Sequence, residues 1–290
     1  MGGLSKEREV SLISGAACAA ALQEAGYDVV DVDVDRRIGA RLLEIRPDVC
    51  FNALHGPLGE DGSIQGLLNI LGLPYTHSGV AASSLAMDKH RTKLLVGQLG
   101  IRSPQGSLAD AATFWASDLD APYVIKPIND GSSIDTYVVR DPSKRPFDRE
   151  TWPFAGPALV EEFISGQELT VTVLGDRALT VTEIIPAKNF YDFTAKYAPG
   201  GSEHVIPARI SPATFAQCLE QAVMVHTALG CRGISRSDFI LDNRSGEPVF
   251  LEVNTQPGMT PTSLAPEQAR HVGISFPALV RTLVEAATTD

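Results

Sequence analysis

The chain has 290 residues, of which 44% are hydrophobic and 20% are charged, and its formal net charge is −11 at pH 7. A chain of this length can form two or three domains, each with a hydrophobic core. The acidic balance argues against nucleic acid as the main partner, because binding to a phosphate backbone requires a basic surface. It leaves room for a nucleotide ligand, since a few local cations or a metal ion can override the overall charge.

The sequence predicts a cytoplasmic protein that does not enter a membrane. No run approaches the roughly 18 apolar residues that a transmembrane helix requires, and the first residues lack the basic and apolar regions of a secretory signal. The four cysteines are widely separated and form no CxxC pair. We therefore expect reduced, buried thiols at Cys18, Cys50, Cys218 and Cys231.

The first third of the chain alternates between helical and strand-like patterns. This alternation predicts an open, mainly parallel α/β sheet. Ligands of such sheets bind at the carboxyl ends of the strands, which here correspond to Gly2-Gly3 and His55-Gly56. The strands are expected over 27–35, 47–56 and 73–79, and the helices over 10–25 and 62–72.

The rest of the chain is richer in strands. A helix over 87–100 leads into a small α+β region, and a polar segment over 189–204 is typical of a mobile loop. We predict three domains, with bounds 1–87, 88–167 and 168–290. Within the last two, strands are expected over 121–128, 136–139, 158–164 and 168–176, and a helix over 212–229.

The strongest chemical signal is the segment 237–259, in which two apolar strands flank a turn rich in Asp, Asn, Gly and Pro. If the turn is centred near Ser245, Asp238 lies opposite Glu252 on an antiparallel ladder. Asn254 shares a strand face with Glu252, because side chains two residues apart point the same way. Two carboxylates and an amide oxygen suit Mg²⁺, with phosphate oxygens completing its coordination. The alternative interpretation is a strand face that is polar only because it is exposed.

Weaker signals indicate cations and polar groups for a triphosphate. Lys89, Lys126 and Lys196 lie in apolar or loop settings, where together they can compensate phosphate charge. The loop 129–135, NDGSSID, can present backbone amides and serine hydroxyls. The segment 161–168, EEFISGQE, suits an adenine edge and ribose hydroxyls. The alternatives are solvent-facing lysines, a plain hairpin turn and surface glutamates.

In combination, the motifs of this sequence resemble those of the D-alanine–D-alanine ligase family of the ATP-grasp superfamily. The resemblance runs in order from residue 2 to about residue 280. Its most family-specific segments are HGPLGEDG and EVNTQPGMTPTSL. The other segments that carry it are GGLSKEREVSLISG, LPYTHSGVAASSLAMDKHRTK, VIKPINDGSS, VEEFISGQELTV and FYDFTAKY.

The resemblance implies an N-terminal open parallel α/β domain followed by a two-domain ATP-grasp fold, with ATP between the central and C-terminal domains. It also implies two Mg²⁺ ions, with Mn²⁺ as the alternative metal, a monovalent cation as a further cofactor, and a homodimer. The implied metal ligands are Asp238, Glu252 and Asn254. The implied ATP-binding residues are Lys89, Lys126, Ser133, Glu161, Glu162, Phe163, Ile164, Glu168 and Lys196.

The family pattern further implies a site for a first D-alanine. Glu7 would accept its ammonium group, and His55 would stand near its carboxylate. Ser132 and Tyr197 would join Glu7 in a hydrogen-bonded set that closes the loops over the site.

The second half of the implied reaction needs another group of residues. Arg236 and the backbone amide of Gly258 would stabilise the tetrahedral oxyanion, while Ser263 and Leu264 would receive the carboxylate of the second D-alanine. The first D-alanine carboxylate would attack the γ-phosphate in line, and the amine of the second would then displace phosphate from the acyl phosphate. Because an acyl phosphate hydrolyses when wet, the segment 189–204 would serve as a lid.

Three departures from the family pattern bear on activity. Asp135 replaces a glycine after GSS, which costs on the order of 1 kcal/mol if φ is positive and adds negative charge near the triphosphate. Thr194 replaces a lid glutamate, whereas Tyr197 accompanies a dipeptide product in the family. A short apolar strand usually precedes Gly2-Gly3, and its absence costs several kcal/mol, so the chain either starts internally or is compromised.

The favoured function is ATP-dependent and Mg²⁺-dependent synthesis of D-alanyl-D-alanine for cell-wall peptidoglycan precursors. Two alternatives stay open. One is a ligase that joins D-alanine to a different D-acid, and the other is a non-catalytic nucleotide-binding homologue, disabled by Asp135 and the missing strand.

Overall fold

The structure is a computed structural model that describes residues 1–116, 120–131, 135–148, 150–186 and 201–290. Its α-helices are α1 (Arg8–Glu24), α2 (Ile38–Ile45), α3 (Ser63–Leu71), α4 (Val80–Met87), α5 (Lys89–Gln98), α6 (Ala111–Ala116), α7 (Pro212–Ala228), α8 (Leu264–His271) and α9 (Phe276–Glu285).

The strands of the described residues form two antiparallel sheets. The small sheet is 4-stranded with the order β1-β4-β2-β3, and the large sheet is 5-stranded with the order β7-β6-β5-β8-β9. Their strands are β1 (Gly106–Ala109), β2 (Tyr123–Pro127), β3 (Tyr137–Val139), β4 (Ala158–Glu162), β5 (Gly166–Leu174), β6 (Arg177–Pro186), β7 (Ser202–Val205), β8 (Ile234–Asp242) and β9 (Pro248–Asn254).

Most elements predicted for the second and third domains are present. The strands predicted over 121–128, 136–139, 158–164 and 168–176 correspond to β2, β3, β4 and β5, and the helix predicted over 212–229 corresponds to α7. The predicted bounds agree with the observed ones to within two residues. This accuracy is expected, because turn residues mark both ends of each apolar run.

The helix predicted over 87–100 is interrupted at its second residue. Asp88 has an extended backbone (ψ 94°), so α4 ends at Met87 and α5 begins at Lys89. The Asp88 carboxylate accepts a hydrogen bond from the Arg91 amide at 2.9 Å, as an N-cap residue does. The break therefore places Lys89 in the first turn of α5.

The prediction of three regular parallel strands in the N-terminal region is wrong in its detail. Segments 27–35, 47–56 and 73–79 are not regular strands, and their pairing is reduced to a parallel bridge between Cys50 and Tyr75 and an antiparallel one between Tyr75 and Thr288. Met1 makes two hydrogen bonds to this region, both at 3.0 Å. Its ammonium donates to the Val32 carbonyl, and its own carbonyl accepts from the Val34 amide. Residues 27–32 and 48–54 line one groove of about 500 Å³. In the described part of the chain, neither segment forms a regular ladder.

Helix α1 is anchored to the C-terminal part of the chain. Ala21 and Leu22 pack against Leu279 and Leu283 of α9 in one buried cluster. Burial of each large aliphatic side chain contributes about 1.5–3 kcal/mol. The C-terminal half of α1 is thus packed against the C-terminal helices, which in turn pack on the large sheet.

The large sheet is covered by α7, and the small sheet has an aromatic core of its own. Cys218 and Val225 of α7 pack on Val171 and Phe239 of the sheet. None of the helices in the described ranges is long and apolar enough to cross a membrane.

His77 gives the fold a pH dependence. Its side chain is 3% exposed, and burial lowers its pKa to about 3. Because the unfolded state takes up a proton near pH 6.5 while the folded state does not, stability is lost as the pH falls below that value. This group alone removes about 2 kcal/mol of unfolding free energy between pH 7 and pH 5.

We expect His77→Asn to flatten that dependence. Asn suits the positive φ of 72° at this position and does not titrate. Urea unfolding at pH 7, 6 and 5 measures the effect, and other titrating groups cancel in the comparison of the two proteins. If the parent protein and His77→Asn lost equal unfolding free energy on acidification, the pH dependence assigned to His77 would be contradicted.

Candidate active site

The β8–β9 hairpin brings the predicted metal ligands together. Asp238 pairs with Glu252 in the ladder, as the sequence predicts, and Arg236 pairs with Asn254. A register shift follows Asp238, before Phe239 pairs with Phe250. Because Glu252 and Asn254 are two residues apart, their side chains share a face with those of Arg236 and Asp238.

The charges of this face are balanced within the protein. Arg236 donates two hydrogen bonds to the Asp238 carboxylate, from Nε at 2.9 Å and from Nη2 at 2.7 Å. Thr170 Oγ1 donates a third at 2.6 Å. Glu252 Oε2 lies 3.5 Å from Lys89 Nζ. Each carboxylate therefore lies beside a cation.

The donor set on this face suits a hard divalent cation. It consists of two carboxylates and the Asn254 amide, whose Oδ1 also accepts a hydrogen bond from the Gln256 amide at 2.7 Å. In the part of the chain that the structure describes, no three His, Cys, Asp or Glu side chains converge on one point. Oxygen atoms of a ligand would have to complete the coordination, which is how Mg²⁺ binds together with phosphates.

A cavity of about 560 Å³ opens beside the hairpin. It gathers residues from α1, the loop after residue 54, the end of β9 and the start of α8. Nine of the predicted site residues line it: Glu7, His55, Lys89, Arg236, Glu252, Asn254, Gly258, Ser263 and Leu264.

Glu7 is buried at the N-cap position of α1, which begins at Arg8 rather than near Val10. Its amide donates to Ser5 Oγ at 3.1 Å, and Ser5 Oγ donates to the His55 carbonyl at 2.7 Å. Glu7 and the loop that carries His55 are thereby tied together. A Cβ atom at Gly131 would lie 2.9 Å from Glu7 Oε1, so the loop after β2 also approaches Glu7.

His55 is held from both sides by residues that the sequence analysis did not select. Its Nδ1 lies 3.2 Å from Glu60 Oε1, and its Nε2 lies 3.1 Å from Ser14 Oγ. A signal for both was available in the sequence. Ser14 is seven residues after Glu7 on one helix face, and Glu60 belongs to the HGPLGEDG segment.

The far end of this cavity is formed by the loop after β9 and the start of α8. Ser263 is the N-cap residue of α8, and its Oγ accepts a hydrogen bond from the Thr260 amide at 3.1 Å. A Cβ atom at Gly258 would lie 3.1 Å from the same Ser263 Oγ. His204 also lines the cavity and contacts Glu267 of α8 at 2.6 Å, a pair that the sequence did not predict.

A second cavity, of about 580 Å³, is lined by residues of both sheets. The two cavities have Lys89, Asp130 and Glu252 in common. A ligand in one cavity is thus within reach of a ligand in the other at these residues. The predicted site residues that line the second cavity are Lys89, Lys126, Glu161, Glu162, Phe163, Ile164, Glu168, Asp238 and Glu252.

Glu161 lines this cavity but is only 3% exposed. Its carboxylate lies between two lysines. Lys126 Nζ is 2.8 Å from its Oε2, and Lys93 Nζ donates to its Oε1. Burial tends to raise the pKa of Glu161, but the Lys126 and Lys93 ammonium groups outweigh it and leave the pKa below its usual value. The sequence analysis did not select Lys93.

Neighbouring side chains are also engaged. The Arg140 guanidinium lies 4.8 Å from the centre of the Phe163 ring, a cation–π contact. Glu162 Oε1 accepts a hydrogen bond from the Gln105 amide at 3.1 Å. Four predicted site residues, Ser132, Ser133, Lys196 and Tyr197, and the substitution at Thr194 lie outside the described residues.

Comparisons with known proteins agree with this arrangement. Residues 36–78 match the family model described as D-ala D-ala ligase N-terminus, and residues 104–285 match the one described as D-ala D-ala ligase C-terminus. A D-alanine–D-alanine ligase from Rhodospirillum rubrum is 54% identical over 296 aligned residues, which cover 100% of this chain and 97% of the relative. The ligase of the same name from Agrobacterium fabrum is 52% identical, with coverage of 99% and 96%.

The fold matches as well as the sequence. The crystal structure of a D-alanine–D-alanine ligase from Bacillus anthracis complexed with ATP has a TM-score of 0.82 to this chain at 29% identity, and covers 99% of this chain and 94% of that one. The predicted mixed α/β fold class is thereby confirmed. With half of its residues shared with curated ligases along its whole length, the chain belongs to the D-alanine–D-alanine ligase family.

Proposed function

We propose that this chain joins two D-alanines to D-alanyl-D-alanine, with ATP as co-substrate, for peptidoglycan precursor synthesis. The observation that supports this most directly is the pair of cavities that meet at Lys89, Asp130 and Glu252. A reaction between a carboxylate and a triphosphate requires two adjoining sites with cations where they meet.

ATP occupies the second cavity in this proposal. Its phosphates lie near Lys89 and Lys126, with Lys196 and Ser133 as further contacts. Arg140 over the Phe163 ring and the apolar Ile164 side chain support an adenine site in the same cavity. The adenine contacts are Glu161, Glu162, Phe163 and Ile164, and the ribose contact is Glu168.

Two Mg²⁺ ions, or Mn²⁺ in their place, would be held by Asp238, Glu252 and Asn254. Bound metal would neutralise phosphate charge and align the transferred group. The donor set supports this, because it consists of oxygen atoms alone on one face of the β8–β9 hairpin. Arg236 and Lys89, which contact the two carboxylates, set how much negative charge the site presents.

The first D-alanine binds in the first cavity, with its ammonium on Glu7 and its carboxylate near His55. The Ser5 link between these two residues supports a fixed distance between the two ends of the substrate. Ser132 and Tyr197 complete the set around Glu7. The carboxylate oxygen attacks the γ-phosphorus, which gives an acyl phosphate and ADP.

The second D-alanine enters beside Ser263 and Leu264, which receive its carboxylate. Its amine attacks the acyl carbon, loses a proton, and phosphate leaves. Arg236 and the Gly258 amide stabilise the oxyanion that forms between these steps. We further propose a cytoplasmic homodimer and domain bounds at 87/88 and 167/168. Of the segment 189–204 predicted as a lid, residues 202–204 belong instead to β7 of the large sheet, so the proposed lid is confined to the part before β7, of which residues 189–200 lie outside the described residues.

The test of this function is release of inorganic phosphate on mixing the folded protein with ATP, Mg²⁺ and D-alanine. Release that depends on D-alanine, with formation of the dipeptide, supports the proposal. Its absence in protein shown to be folded would favour the non-catalytic nucleotide-binding alternative. A panel of second acids, including D-lactate, decides between the dipeptide ligase and a ligase with another product.

Glu7→Gln tests the first substrate site. Loss of a charge-assisted hydrogen bond costs about 1.5–3 kcal/mol, so kcat/KM for D-alanine should fall about tenfold to a hundredfold while the KM for ATP stays within about twofold. Glu24→Gln, at the exposed far end of the same helix, is the control and should leave both unchanged. An unaltered kcat/KM in Glu7→Gln would remove Glu7 from the proposed site.

Asp135→Gly tests the departure in the phosphate loop. Asp135 has a φ of 53°, the left-handed conformation that the sequence analysis considered, and its carboxylate is 3.7 Å from the exposed Lys6 ammonium. We expect the glycine variant to lower the KM for ATP about threefold, because a negative charge near the triphosphate is removed.

Asp135→Asn is the matched control for backbone strain. It removes the charge and keeps the side chain, so a charge effect appears in both variants and a backbone effect appears in Asp135→Gly alone. Equal Michaelis constants for ATP in all three proteins would contradict the prediction.

A further inference from the structure

Helix α5 presents two lysines, four residues apart, to carboxylates of different sheets. Lys89 lies 3.5 Å from Glu252 of β9 in the large sheet. Lys93 contacts Glu161 of β4 in the small sheet. Residues four apart lie on one helix face, so α5 links both walls of the second cavity through ion pairs.

Lys93 differs from its neighbours because it lines neither of the two site cavities. Its side chain is 8% exposed, whereas Lys89 and Lys126 both line the second cavity. Its ion-pair partner in the described residues is the Glu161 carboxylate, which it shares with Lys126. Lys93 is therefore connected to the lining of the second cavity through its ion pair with Glu161.

With both lysines protonated, the charges of these three groups leave one positive charge; burial and the Lys126 ammonium lower the pKa of Lys93 to about 7, so this balance holds below that pH. Two ammonium groups face one carboxylate, and each occupies a different oxygen of Glu161. If the charge of Lys93 were removed, both oxygens would become available to Lys126. The Lys126 ammonium would then be fully compensated and drawn toward Glu161, away from the cavity.

We propose that Lys93 is a positioning residue for the nucleotide: by holding one oxygen of Glu161, it keeps the charge of Lys126 available to the ATP phosphates. This inference rests on the proposed placement of ATP in the second cavity. It concerns affinity for ATP, since Lys93 touches no substrate or reacting atom.

Lys93→Met tests the proposal, because methionine keeps most of the side-chain volume and removes the charge. We expect the Kd for ATP with Mg²⁺, measured by calorimetry without D-alanine, to rise about tenfold. The KM for ATP should rise in parallel, whereas kcat at saturating ATP and the KM for D-alanine should stay within about threefold of the parent protein. Lys144→Met, an exposed lysine in the region of the small sheet, is the control for loss of one positive charge and should change the Kd less than twofold.

The conservative variant Lys93→Arg separates charge from packing. It keeps the positive charge beside Glu161 and changes the side-chain shape, so its Kd for ATP should stay within about threefold of the parent. All Kd values are measured at about pH 6, where Lys93 is mainly protonated. A Lys93→Arg protein that binds ATP as weakly as Lys93→Met, or an unaltered Kd in Lys93→Met, would overturn the proposal.

Folding is monitored by thermal unfolding of each variant. If Lys93→Met does not fold, Lys93→Gln carries the test, because its amide can hydrogen-bond the buried Glu161 carboxylate without supplying a charge. A Kd for ATP about tenfold weaker than that of the parent then supports the proposal, and an unaltered Kd overturns it. Intact ATP binding without D-alanine-dependent phosphate release in the parent protein overturns the ligase function alone, whereas loss of ATP binding in the parent overturns both.

Discussion

The antiparallel register of β8 and β9 is the constraint on which the candidate site depends. A slip of one residue would turn Asp238 and Glu252 to opposite faces of the sheet. The turn at the other end of the hairpin fixes that register: Gly246 adopts a φ of 70°, and the Asp242 carboxylate accepts bonds from the Arg244 amide and from Arg102. Residues far from the cavities therefore determine which side chains meet there.

An acidic protein repels an anionic nucleotide unless cations are placed at the binding site. In this site, two of those cations are each paired with a carboxylate. Arg236 is paired with Asp238, and Lys89 with Glu252. Such pairs keep cations inside a chain of net charge −11 without exposing a basic surface. Lys93 and Lys126 depart from the pattern by sharing one carboxylate, which concentrates positive charge at one wall of the second cavity.

The sequence was sufficient to predict contacts within one hairpin of this site but not contacts between a helix and a distant strand. Asp238 and Glu252 could be paired because turn residues fix the count between two strands. Lys93 was missed because a helical pattern shows which residues share a face but not which strand packs on that face. The valine-rich segment 27–35 was predicted as a strand from its alternation, yet a strand also needs a neighbour for its main chain. The functional roles of all the candidate site residues stay predictions, and residues 132–133 and 196–197 also lie outside the described part of the chain.

The break between α4 and α5 at Asp88 couples the stability of the free protein to what it binds. It leaves Lys89 and Arg91 in the first turn of α5, at the end of the helix where the dipole is positive and an exposed cation costs about 0.3–1 kcal/mol. The Asp88 cap offsets only part of that repulsion. An anion that binds nearby relieves the rest, so ligand binding and folding reinforce each other. The protein thus gives up some intrinsic stability in exchange for a stronger response to its anionic ligand.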